Sequence, residues 1–70
     1  MPVVIAPLDI ELRIVRIAAD EKLKKHLESL GLTLNGKITV LSNDSGAVVC
    51  KIKDGRVALD RDLSAKIFVA

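Results

Sequence analysis

The chain has 70 residues, half of them apolar, with 11 Lys and Arg against 9 Asp and Glu and a formal charge of +2. That length suits a single small domain over residues 1–70 with a thin core, and the mixed charge describes a solvated surface, not a polyanion-binding one. Phe68 is the sole aromatic residue, so there is no stacking platform for single-stranded nucleic acid and no nucleic-acid partner is expected.

Other classes fall away on the same grounds. Cys50 is the only cysteine; it cannot form an internal disulfide and suits a reducing, cytoplasmic setting. The start of the chain, Met1 to Pro7, lacks the basic n-region of a signal peptide. No run approaches the roughly 18 uncharged apolar residues of a membrane span.

In chain order, Ile10 to Ile17 alternates as a half-buried strand, with Leu12 and Ile14 on one face. The phase slips afterwards, because Val15 and Ile17 are apolar and Arg16 is not. Either the strand bulges near Ile14 and Val15 or Val15 is exposed; the pattern leaves both open.

A helix follows. Asp20 can cap its free amides and Glu21 sits in the positive first turn. Leu23, Leu27 and Leu30 form a narrow apolar stripe, Glu21 and Lys25 make an i,i+4 pair, and Gly31 closes the helix in a left-handed conformation.

Leu34-Asn35-Gly36 reads as a turn, Lys37 to Leu41 as a strand, Ser42 to Gly46 as a polar loop, and Ala47 to Lys53 as a second strand with Val48, Cys50 and Ile52 inward. Asp54-Gly55 predicts a two-residue hairpin pairing Lys53 with Arg56, Ile52 with Val57, Lys51 with Ala58 and Cys50 with Leu59. Asp60 caps one helical turn over residues 61–65, and Ile67-Phe68-Val69 returns as a last strand. Five short strands at this size hide their apolar face by curling, which predicts a mainly β fold with one or two short helices: an SH3-like, partly open barrel.

Chemistry is sparse. His26, the only histidine, lies at the border of the apolar stripe, either as a partly buried border residue or as a metal ligand or proton carrier. Cys50 lies on an inward strand face, as a small hydrophobe or a ligating thiol. Together they are the only metal candidates, and a pair falls short of the four ligands of a structural site. Asp60 and Asp62 read as a cap beside a solvated turn, and Lys22, Lys24 and Lys25 as a basic face diluted by Glu21 and Glu28. No Gly-rich phosphate loop and no G-x-S-x-G motif occurs. The expectation is no enzyme and no cofactor, beyond a weak contact with a metal ion. A module that works by contact has no aromatic groove to use, which leaves Leu32 and Leu34 around the turn, and Val3, Val4 and Ile5 in the N-terminal arm, as candidate partner-binding residues.

Ala6-Pro7-Leu8, Arg13 to Ile17, Leu27 to Thr33, Ile38 to Leu41, and Arg56 to Leu59 followed by Ala65-Lys66-Ile67 resemble ferrous iron transport protein A, the FeoA family, in order and across the whole chain. The most specific part is the Leu-Gly-Leu-Thr turn with the alanine-leucine C-terminal hairpin. The resemblance implies a small cytosolic SH3-like protein supporting bacterial ferrous iron uptake, peripheral to the inner membrane through its partner, the FeoB membrane transporter with its guanine-nucleotide-binding domain. The same module forms the C-terminal domain of iron-dependent repressors, which makes a metal-responsive sensor or iron carrier the alternative; this chain carries no DNA-binding helix pair. Many relatives have Pro-Gly at Leu34-Asn35 and Gly at Asp9. Leu34 is then an added apolar residue at the surface, and Asp9 alters the backbone entering the first strand.

Overall fold

A computed structural model describes residues 1–70. A one-turn 3-10 helix at Val3–Ile5 leads into β1 (Glu11–Ile17), α1 (Glu21–Ser29), β2 (Lys37–Asp44), β3 (Ala47–Ile52), β4 (Gly55–Leu59), α2 (Arg61–Lys66) and β5 (Ile67–Val69). The strands form one antiparallel sheet in the order β4-β3-β2-β1-β5.

Two bends curl this sheet. β1 pairs with β2 through Glu11 to Arg13 and with β5 through Ile14 to Ile17; β2 pairs with β1 through Lys37 to Thr39 and with β3 through Thr39 to Asp44. A register shift lies in each, between Ile14 and Arg16 in β1 and between Val40 and Ser42 in β2. An extra residue on one strand bends it and raises its twist, so each long strand serves two walls of the barrel. The sheet edges, β4 and β5, are not paired to each other, and α2 packs against both and against the 3-10 turn. The result is the partly open barrel expected.

The two readings of β1 both hold. Val15 is the extra residue, lying between the Ile14–Val69 and Arg16–Phe68 pairs, and it is 50% exposed. The bulge shifts the alternation by one, which lets Ile14 and Ile17 both point into the core.

The helix caps also match. Asp20 and Asp60 accept from the amides of Leu23 and Leu63, each at 2.8 Å. Gly31 has φ +95°, its amide donates to Glu28 O at 2.9 Å, and that of Leu32 donates to Leu27 O at 3.0 Å. This is the paired closure of a helix by a left-handed glycine, with the buried Leu27 and Leu32 supplying the apolar contact that accompanies it. Asn35 and Asp9 take φ +66° and +60°; short polar side chains tolerate the left-handed region.

Several expectations are corrected. β2 runs on to Asp44, so the loop shrinks to Ser45-Gly46, both with positive φ. The Asn43 side chain extends this ordering by accepting from the Gly46 amide and donating to Val4 O. The β3–β4 turn is Lys53-Asp54, closed by Ile52 opposite Gly55, so Cys50 faces Val57 and Val48 faces Leu59. Lys53 and Asp54 keep negative φ, and the positive value falls on Gly55 at +139°, where no Cβ opposes it. Each partner moves by two residues, so the inward face is preserved although the register differs. Leu30 is the exposed C-cap of α1, not part of the buried stripe. Glu21 and Lys25 form no ion pair; the one present joins Lys37 to Glu11 at 3.8 Å between exposed side chains, a geometry that contributes little.

Val3 and Leu32, both candidates for partner contact, are completely buried. The 3-10 turn drives Val3 into the core, and the glycine closure of α1 turns Leu32 inward. They are core residues.

Candidate functional site

One apolar hollow on the surface is built by β1 and the turn before β2. The Val15 bulge faces outward from β1. Beside it the Asn35 amide donates to Ile14 O at 2.7 Å, and the Ile14 amide donates to Gly36 O at 2.9 Å. These bonds pin the turn against β1 and place Leu34, 60% exposed, on the same hollow as Val15. Ile17, Ala18 and Ala19 line the hollow, about 370 Å³ in volume, while Lys24 and Glu28 from α1 and Arg16 from β1 charge its rim. Lys24 and Glu28 are one helical turn apart on the same face.

Leu34 therefore belongs to this surface as a residue of exposed apolar character. Ile5, 66% exposed, and the half-buried Val4 lie in the N-terminal arm, outside the hollow. Val15, Lys24 and Glu28 were absent from the sequence candidates. The phase slip in β1 was the signal for Val15; the two charges read only as a solvated helical face.

A larger hollow, about 700 Å³, lies across the outer faces of β1 to β3. Lys37, Lys51 and Lys53 line it together with Glu11, Glu28 and Asp54, and Ile52 is its only apolar wall. Three cations against three carboxylates leave no net field to gather an anion. Volume alone therefore does not make it the better candidate; the smaller hollow is preferred because five of its eight lining residues, Val15, Ile17, Ala18, Ala19 and Leu34, are aliphatic.

Neither metal candidate has the surroundings of a ligand. Cys50 is completely buried on the inner face of β3, and burial pushes its thiol up to about 11. A thiol so placed stays protonated at neutral pH and is neither nucleophile nor ready ligand. His26 is exposed on α1, not partly buried, because the packed stripe of the helix narrows to Leu27 with Leu23 beside it. Nowhere do three or more His, Cys, Asp or Glu side chains converge. No helix is long and apolar enough to cross a membrane.

Comparison with known proteins agrees with this architecture. The crystal structure of an iron uptake regulatory protein (FeoA) superposes with a TM-score of 0.89 at 23% identity, covering 99% of this chain and 93% of that one. Iron(II) transport protein A from Clostridium thermocellum gives 0.88 at 21%, over 99% of this chain but only 44% of that one. A manganese-dependent transcriptional repressor gives 0.89 at 20%, over the full chain here and 40% of the repressor. Identities this low establish the shared SH3-like fold. No curated protein matches. The FeoA domain model matches residues 1–70, which ties the chain to ferrous iron transport. By that match along its whole length, the chain belongs to the FeoA domain family.

Proposed function

We propose that this protein is a small, non-catalytic accessory component of ferrous iron uptake, acting in the cytoplasm by docking on the cytosolic part of a FeoB-type membrane transporter. The docking surface is the hollow between Val15 and Leu34. The observation that carries this reading is that two aliphatic side chains from separate elements are held outward at one hollow by backbone bonds of 2.7 and 2.9 Å. Neither side chain serves the core from there, and an exposed apolar patch rimmed by charge fits a protein interface. Lys24, Arg16 and Glu28 supply the polar rim that surrounds the apolar centre of such interfaces.

The test is binding of the purified chain to the transporter's nucleotide-binding and membrane domains, taken separately. Wild type binds one of them, and Leu34→Asp weakens that binding roughly tenfold or more while the melting temperature stays unchanged. Failure of the wild type to bind either domain removes the proposal.

A metal-responsive sensor or iron carrier is the second reading, supported by the likeness in fold to a manganese-dependent repressor. It would rely on Cys50, which is sealed in the core, and His26, which is outside it. Anaerobic titration calorimetry with ferrous ion decides between the two. The docking reading expects no stoichiometric heat; a heat present in wild type and lost in His26→Ala would favour the sensor.

A further inference from the structure

The sheet has two edges, and only one has outer backbone groups that are paired. Along β5, the Val69 amide donates to Met1 O at 2.7 Å, the Met1 amino group donates to Val69 O at 2.9 Å, and Pro2 bridges Phe68. Along β4, no backbone group of Arg56, Val57 or Ala58 bonds to anything beyond β3. Ile52 and Gly55 close the β3–β4 turn, and hydrogen-bonded pairs alternate along an antiparallel ladder. The pairs Ile52–Gly55, Cys50–Val57 and Val48–Leu59 therefore carry the bonds to β3, and the N–H and C=O groups of Arg56 and Ala58 aim away from the sheet.

An unpaired row of this kind is a template for another strand, and charge selects the occupant. Arg56, Ala58 and Asp60 are all exposed and share one parity along the chain. Asp60 is still extended, with φ −73° and ψ 174°. Two copies of the chain laid antiparallel about Ala58 bring Arg56 of each opposite Asp60 of the other, giving two opposite-charge pairs about a central Ala58–Ala58 pair. Moving the twofold to Arg56 would set the two guanidinium groups against each other, which disfavours that register. We propose that β4 is a self-association edge, pairing with β4 of a second copy with Ala58 on the twofold axis. So short an edge falls below the roughly 1,200 Å² typical of stable complexes, so the dimer is weak and dependent on concentration and salt.

The proposal is independent of the docking reading and is tested without any transporter. Sedimentation of the wild-type chain over a concentration series should show a reversible monomer–dimer equilibrium. Arg56→Asp, which sets two carboxylates opposite each other twice, should weaken it roughly tenfold or more. Asp60→Asn, which keeps a competent helix cap, should weaken it by less. Under mild oxidation Ala58→Cys should yield a disulfide-linked dimer, since directly bonded antiparallel partners lie about 5.5 Å apart at Cα, within disulfide reach. Lys25→Cys, exposed on α1, is the control. A wild type monomeric at every concentration, or an Ala58→Cys variant that links no faster than the control, overturns the proposal. Retention of the dimer in Arg56→Asp does the same for this register.

Discussion

Gly31 faces Ile52 so closely that a Cβ on the glycine would lie 2.7 Å from Ile52 Cδ1. The same glycine, at φ +95°, ends α1 and turns Leu32 into the core. One position thus joins the helix terminus to the inner face of β3.

Replacing that glycine strains backbone and packing together. A side chain at this φ costs on the order of 1–2 kcal/mol, and the displaced Ile52 side chain adds to it. Gly31→Ala should lower stability by about 2 kcal/mol in thermal or urea unfolding. Gly55→Ala, with open space around its Cβ position, meets no neighbouring side chain and reads the backbone strain at φ +139° by itself.

Val15 matters for its backbone more than for its side chain. Val15→Ala removes a half-exposed side chain and should change stability by less than about 1 kcal/mol, while weakening the docking proposed above. Deleting Val15 removes the extra residue that bends β1 between its two walls, while Ile14 and Ile17, then two positions apart, stay on one face. Deletion should therefore lower the melting temperature more than the substitution, through the lost bend and not through a misdirected core side chain, as read by circular dichroism.

Cys50 makes stability depend on alkaline pH. Its folded thiol titrates near 11 through burial, against an ordinary value of 9.0. The folded state holds the proton longer than the unfolded state, so the stability tied to the neutral thiol is complete below about pH 9. It is lost as pH rises through 11. Two pH units correspond to about 3 kcal/mol at most. Urea unfolding of wild type and Cys50→Ala across this window should show a steeper decline in wild type; parallel curves would contradict the burial effect.

Much of this architecture is local and could be read from the chain. Asp20, Asp60 and Gly31 act through neighbours three to five residues away, so residue type and position sufficed for both helices. The alternation of Val48, Cys50 and Ile52 identified an inward strand face for the same reason. The β3–β4 turn was legible as a hairpin but not in register. Asp54-Gly55 suits a primed turn, yet the register with Lys53-Asp54 in the turn buries the same side chains.

The docking hollow lies beyond such reasoning. Leu32 and Leu34 are two residues apart and similar in type, yet one is sealed in the core and the other is 60% exposed. The difference arises because the closure of α1 commits Leu32, while bonds from β1 to Asn35 and Gly36 hold the turn with Leu34 outside. Val15 and Leu34 line one hollow only because the barrel brings residues 19 positions apart to the same side of the molecule. Residue type and local spacing already dictate the elements, the caps and the apolar faces, since those depend on short-range periodicity and turn chemistry. Which aliphatic side chains stay at the surface follows from the packed fold, because burial depends on pairings between distant segments.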